Sequence, residues 1–443
     1  MLPLGPAELD QQQGGNQGNQ TILYITKGGG GTETFRPSFS YFGLRYASLS
    51  GLPEGFTPTN TTLTSLRVNT RVVRTGHVSF NASVNVLNKL QTAIVYTLQS
   101  TIHSHPEDCP QRERHGWSGD AQLSSAGTSL NFDMESFYTN WLRTIADAQR
   151  LGRNAAAAAP DDTLPELPWF GVDSIANMRA HYAPTGNVSG AIPDLAPFGG
   201  WPGNFPSDPI YATAIVMVPW EAWKRTGRVS LIEAHYQNAQ GVLEFLDHNA
   251  ANASWPLYTQ SGSADWLCCT VLPHCGDESG ALGKCNVGCL PASTAAYVHV
   301  LTTARLLDMA RVLNQTTDVK HYRSRLDYLG AAYHQRFFVP ALGRYTEEGS
   351  SKNIQSHQVF PLYLNLVPPE HESSVVAALV SDLNATGGHV NSGLAGTRFL
   401  LETLVRYGHA ALALSVATNP SCPGWAYMIE KLPGEPGPHG HGW

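Results

Sequence analysis

The chain has 443 residues, enough to bury a large core and to form two or three domains. Only 14% of them are charged, below the roughly 25% usual in soluble proteins, and the formal net charge is −7. That balance gives no electrostatic reason to expect nucleic acid or an anionic membrane as partner. No apolar run approaches the roughly 18 residues of a membrane span; residues 212–220 (ATAIVMVPW) meet a proline after a few positions.

Residues 1–10 (MLPLGPAELD) lack a basic region followed by an apolar core, so they are not a signal peptide. The first ten to twenty residues, rich in Gln, Gly and Asn, are expected to be disordered. The reading up to residue 82 is β. Residues 23–26 form a short apolar, β-branched run, and residues 27–31 (KGGGG) a turn or linker. Residues 38–49 (SFSYFGLRYASL) and 63–73 alternate as half-buried strands do. These runs look like the last strands of a β-sandwich, too few to close one unaided.

From residue 83 to 430 the apolar period is helical. It predicts helices over 84–102, 134–149, 210–226, 231–249, 293–313, 319–338, 355–366, 371–384, 393–407 and 410–418. Pro219, Gly227 and Gly408 read as helix stops. Ten to twelve helices with loops of uneven length suggest a toroid of paired helices, its site built by loops at one end. Residues 431–443 (KLPGEPGPHGHGW) read as an irregular tail.

Five of the seven cysteines, Cys268, Cys269, Cys275, Cys285 and Cys289, fall in one Gly- and Pro-rich stretch. Their spacing lacks the C-x2-C pairs of a zinc ribbon and suits a disulfide-pinned surface loop with one cysteine left over. N-x-S/T sequons occur at Asn19, Asn60, Asn81, Asn187, Asn252, Asn314 and Asn384, more than composition alone would place. Together these features point to a secreted glycoprotein whose beginning is absent from this chain.

Chemistry concentrates between the first two predicted helices, in EDCPQRERHGWSGDAQ. Asp108, Arg112, Glu113, Arg114, His115 and Asp120 crowd together there with Trp117. A charge run is usually a solvated face, but such runs seldom enclose a Cys, a Trp and two Gly. Interleaved carboxylates and arginines suit a concave polar site, where basic groups keep some acids ionised and an apolar wall keeps another protonated. The aromatic offers a stacking face for sugar C–H surfaces.

This segment resembles the D-C-P-x-R-(x)-E-R-x-G-W-x-G-D signature of the α-L-rhamnosidases of glycoside hydrolase family 78. Residues 39–52, 74–91, 208–220 (DPIYATAIVMVPW), 264–267 (ADWL), 389–400 (HVNSGLAGTRFL) and 424–428 (GWAYM) resemble further blocks of that family in the same order. The resemblance covers residues 35–430. It implies a mainly α fold, an (α/α)6 barrel preceded by a partial β-sandwich segment. It also implies hydrolysis of terminal α-L-rhamnosyl linkages with inversion, on a rhamnose-containing glycoside or polysaccharide, without a cofactor or a catalytic metal. Such chemistry uses a protonated acid and an ionised base about 6.5–9.5 Å apart.

By match to the motif, Glu113 corresponds to the general acid. Asp108, Arg112 and Asp120 correspond to residues that hold the rhamnose hydroxyls, and Trp117 to a wall of the sugar subsite. Trp266 matches a second aromatic wall, although a core tryptophan fits the residue nearly as well. Tyr211 can stack on the sugar. For Cys109, burial is the simpler reading and nucleophilic duty is not expected.

Two departures stand out. Tyr211-Ala212-Thr213 replaces the family's aromatic-Gly-Asp. The family's general base, a glutamate in a T-I-W-E setting soon after G-W-x-Y-M, has no counterpart; Glu435 is the nearest acid to its place, and Glu430 reads as a helix-end carboxylate. The chain thus reads as a fragment, a truncated product or a pseudoenzyme. A catalytically silent rhamnoside-binding protein and another exo-glycosidase on the same toroid stay open as alternatives.

Overall fold

The structure is a computed structural model that describes residues 21–44, 47–111, 113–149, 183, 185–197, 206–250, 255–261, 265 and 291–430. The first twenty residues, the five-cysteine stretch, the tail, Arg112, Trp266, Glu435 and the sequons at Asn19 and Asn252 lie outside them.

Twelve helices longer than one turn follow one another among the described residues. They are α1 (Asn85–Ser100), α2 (Ser118–Asn131), α3 (Glu135–Ala148), α4 (Ala214–Thr226), α5 (Ser230–Ala250) and α6 (Pro291–Val312), then α7 (Thr316–Phe337), α8 (Gln355–Tyr363), α9 (Pro369–Ala385), α10 (Leu394–Arg406), α11 (Ala410–Ala417) and α12 (Trp425–Glu430). The even-numbered helices from α2 to α10 contact one another in ring order: α2 with α4, α4 with α6, α6 with α8, α8 with α10, and α10 with α2. The odd-numbered ones form an outer wall, where α3 packs on α4, α5 on α4 and α6, α7 on α6, and α9 on α8. Helix α12 meets α1 and so joins the last hairpin to the first. The expected helical toroid of six hairpins is formed.

Position in the ring explains the composition of each helix. Outer helices bury one stripe: Val375, Leu379 and Leu383 on α9, or Phe137, Tyr138, Trp141, Leu142 and Ile145 on α3. Inner helix α8 buries all nine of its residues, polar ones included. Helix α2 has no apolar stripe, because between neighbours it buries small and polar groups: Gly119, Ala121, Ser125, Ala126, Thr128 and Ser129. Several of these satisfy themselves within the helix, as Ser125 Oγ donates to the Gln122 carbonyl at 2.6 Å and Thr128 Oγ1 to that of Ser124 at 2.7 Å. The apolar period therefore misses α2, and it also misses the six-residue α12.

Pro219 does not stop its helix. It lies inside α4, which runs on to Thr226 and ends at Gly227 with a left-handed φ of 69°. Residues 214–222 are all buried, and packing on that scale outweighs one lost backbone hydrogen bond. Gly408 does end α10, with φ 84° two residues beyond the helix.

Inner-to-outer turns are three to five residues long, whereas the outer-to-inner connections 101–117, 149–213, 251–290 and 338–354 are much longer. All the long connections therefore gather where the inner helices begin. A small hairpin of Phe338–Val339 with Arg344–Tyr345 stiffens one of them.

The strands expected at 23–26, 38–49 and 63–73 are not formed among the described residues. Among the described residues before the barrel only Val73–Arg74 is a strand, and it pairs with Phe132–Asp133. Alternating side chains stabilise a strand when a neighbour and an opposing face cover them. Here Leu23 and Ile25 are 83% and 80% exposed, and Phe39 is fully so. The segment does bind the barrel at several points, which bear on the site.

Candidate active site

The connection from α1 to α2 carries the acidic segment. Asp108 N donates to the His115 carbonyl at 3.1 Å, and the Asp108 carboxylate receives His115 N at 3.0 Å and the Cys109 thiol. This closes a loop around residues 109–114, in which Arg114 takes a left-handed φ of 59°. Cys109 is therefore not core. It is half-exposed, because its thiol faces the Asp108 carboxylate at the loop. The loop's exit is held by the barrel. Ala196 N donates to the Gly116 carbonyl at 2.9 Å, Ser118 N to the Asp194 carbonyl at 2.8 Å, and Trp117 bridges to Leu195. A Cβ on Gly116 would collide with the Ala196 carbonyl.

These restraints bring Glu113, Trp117, Asp108 and Asp120 to one end of α2. The Trp117 indole N–H donates to Glu113 Oε2 at 2.9 Å, which fixes the carboxyl against the ring. The Trp117 ring meets Tyr211 edge-on, with centroids 5.5 Å apart. Gly119 is required beside them, since a Cβ there would lie 2.8 Å from the Tyr211 ring. Asp120 stands in the first turn of α2, in a narrow crevice with Leu123, Ile210, Tyr211, Leu394 and Ala395. Burial, then the Asp108 charge and less so that of Glu113, push its carboxyl up to about 7, against the pull of its own backbone N–H. An acid in such a place keeps its proton near neutrality.

Ligand atoms of Asp108, Cys109 and Glu113 lie within 4.8 Å of one another. Three donors, one of them a thiol already bonded to Asp108, fall short of the closed four-ligand shell of a structural zinc site. The closeness has another consequence. Carboxyls so near leave no room for the water that an inverting pair holds between them at about 6.5–9.5 Å, so Asp108 is not placed to be Glu113's basic partner.

Tyr211 is set by its own turn. Asp208 caps Pro209–Ala212 through Ile210 N at 3.1 Å, and its other oxygen receives Ser261 Oγ at 2.7 Å. In the aromatic block 264–267, the residue before Trp266 carries the geometry. Asp265 is fully buried and receives Gly393 N at 2.8 Å, Ala395 N at 2.9 Å, Gly396 N at 3.1 Å and the Ser356 hydroxyl. It thus caps α10 from another loop and ties α8 to it. The sequence reading chose Trp266 and passed over this aspartate; the one signal was an acid inside an apolar tetrapeptide of a chain sparing with charge.

The structure thus brings together Asp108, Glu113, Trp117, Asp120 and Tyr211. A broader groove between α9 and residues 407–409 lies on the outer wall and carries none of them.

Comparison with known proteins points the same way. Residues 75–432 match a family described as the bacterial alpha-L-rhamnosidase 6 hairpin glycosidase domain, and residues 6–72 its concanavalin-like domain. The chain is 24% identical over 417 residues to an alpha-L-rhamnosidase of Formosa agariphila, covering 93% of this chain and 38% of that protein. It is 26% identical over 413 residues to one of Streptomyces avermitilis, covering 93% of this chain and 33% of that protein. The chain therefore spans well under half the length of these relatives. Among solved structures, the alpha-L-rhamnosidase from Dictyoglumus thermophilum superposes with a TM-score of 0.63 at 26% identity, covering 82% of this chain and 35% of that one. The Streptomyces avermitilis enzyme complexed with L-rhamnose gives 0.61 at 23% identity, over 81% of this chain and 28% of that one.

Proposed function

The chain belongs to the bacterial α-L-rhamnosidase six-hairpin glycosidase family, and on that premise we propose that it hydrolyses terminal α-L-rhamnosyl residues of glycosides or polysaccharides with inversion. Glu113 gives its proton to the leaving oxygen, while water attacks the anomeric carbon from the opposite face. The observation that carries this reading is the Glu113 carboxyl bonded to the Trp117 indole in a wall continued by Tyr211. Such a wall seats the apolar face of a sugar and brings its glycosidic oxygen to the acid. Asp108 and Asp120 then hold sugar hydroxyls, with Arg112 and Trp266 completing the subsite.

For the base, Glu435 is the acid nearest in sequence to the family's position, and the alternative is a chain that lacks one. A well-placed base is worth about 10²–10⁴ in rate, so a chain without one would bind rhamnosides and scarcely turn them over. Asp120 supports a second assignment of the donor, because burial and the neighbouring acids push its carboxyl up to about 7 in the crevice beside Tyr211.

An aryl α-L-rhamnoside separates these readings. Release of β-L-rhamnose first, followed by NMR before mutarotation, supports inversion; α-L-rhamnose first contradicts it. A loss of roughly 10²-fold or more in Glu113→Gln, with a smaller loss in Asp120→Asn, identifies Glu113 as donor, and the reverse order identifies Asp120. Rhamnose binding without turnover leaves the silent binding protein.

Residence in the secretory pathway belongs to the same proposal. Asn60, Asn81, Asn314 and Asn384 are exposed at their sequons, as glycan attachment requires, while Asn187 is half-buried and its side chain receives Ser189 N at 2.9 Å.

A further inference from the structure

The acid loop is held from two sides. One side is the barrel, through residues 194–196 and Tyr211. The other is the N-terminal segment. The Tyr41 hydroxyl donates to Glu107 Oε2, one residue before Asp108. His103 stacks on the Tyr41 ring at 4.1 Å, with 19° between planes. Its Nδ1 lies 3.0 Å from the same Glu107 oxygen and its Nε2 lies 2.7 Å from the Val68 carbonyl. Glu107 is buried, 7% exposed. Thr70 N donates to the Ile102 carbonyl at 2.7 Å and Ser104 N to Thr70 Oγ1 at 2.8 Å, so residues 68–70 run along the loop's entry.

Two further contacts reach the loop's crown. The Arg114 guanidinium lies 4.8 Å from the Tyr41 ring centre and 6.0 Å from that of Phe42, while its Nε donates to the Pro110 carbonyl at 3.0 Å. Gly43 passes so close that a Cβ would stand 2.7 Å from Gln111 N. Arg114 is the residue after Glu113, and its left-handed backbone persists only when its surroundings over-determine it. A loop without regular structure, with a buried carboxylate at its entry and a strained residue at its crown, is fixed by what grips those two points.

We propose that Tyr41, acting through Glu107, His103 and Arg114, is a positioning residue for Glu113, so that the N-terminal segment forms part of the active site's construction. The proposal rests on the reading of Glu113 as proton donor. Tyr41 itself touches no reacting atom. Its effect is to hold the loop so that Glu113 meets the glycosidic oxygen in line, and displacement of such a group by about 1 Å costs up to roughly 10²-fold in rate.

Tyr41→Phe keeps the ring between His103 and Arg114 and removes only the hydroxyl; Tyr41→Ala removes both. With an aryl α-L-rhamnoside we expect kcat to fall about 10-fold in the first and further in the second, KM to stay within about two-fold, and the basic limb of the kcat–pH profile to move. Mere loss of folded protein would lower the profile without moving its limb, and that result overturns the proposal. Hydrogen exchange supplies a readout independent of turnover. Faster exchange confined to the amides of Asp108, Arg114 and His115, with α2 to α11 unchanged, is expected in both variants. Unchanged exchange overturns the clamp even if the wild-type chain proves inactive, and faster exchange with unchanged kcat overturns the positioning role. Absence of wild-type turnover counts against the proposed function instead.

Discussion

At the scale of single residues, Asp120 and Gly119 shape the end of α2 that carries the site. Asp120 is held up to about 7 by burial and by the acids beside it, against an ordinary value near 3.8. Its folded-state value is raised, so between about pH 4 and 7 the folded chain holds a proton that the unfolded chain releases. Its contribution to stability is therefore lost as pH rises through that window. Asp120→Asn should raise stability relative to wild type by roughly 2 kcal/mol at pH 8, once screening of this part-exposed group is allowed for, and by little at pH 4. Denaturant unfolding at the two pH values measures this, and an equal effect at both contradicts it. Gly119 gives the complementary case. A methyl there must displace the Tyr211 ring, so Gly119→Ala should raise KM for a rhamnoside about 5- to 10-fold with a smaller change in kcat. An unchanged KM would remove Tyr211 from the sugar wall.

At the scale of elements, the loops are sewn together by buried polar groups rather than by apolar contact. Asp265 is the clearest stitch. It accepts three N–H groups at the start of α10 and the Ser356 hydroxyl of α8. Asp265→Ala leaves those donors buried and unpaired, and should cost about 3 kcal/mol or more in urea unfolding; a loss under about 1 kcal/mol would show that water takes its place without penalty. Such stitches were hard to read from sequence, because a buried cap looks like any aspartate until the helix it caps is known. The helices differed in legibility for a related reason. Outer α9 and α3 show their apolar stripes, whereas α2, which carries Asp120, buries serines, threonines and glycines between neighbours and shows none. Pro219 read as a stop because its cost is local, while the packing that overrides it is not.

At the scale of the molecule, six hairpins gather every long connection at the end where the inner helices start, and the acid loop is one of them. The motif from Asp108 to Asp120 was legible because its residue types are improbable together unless they meet a ligand. The register of that loop against Tyr41 and residues 194–196 was not, because it depends on contacts across the chain. The N-terminal alternation was legible too, yet among the described residues it yields no strand before Val73; alternation reports a preference that only neighbouring strands can realise. The central claim is that Glu113 protonates the departing oxygen of an α-L-rhamnoside. Its most direct test is kcat/KM of wild type and Glu113→Gln across aryl α-L-rhamnosides whose leaving groups become progressively less acidic. The account predicts a loss that grows as the leaving group becomes poorer, reaching about 10²–10⁴ for the least acidic phenol or alcohol. A loss that is the same for every leaving group, or none at all, would contradict it.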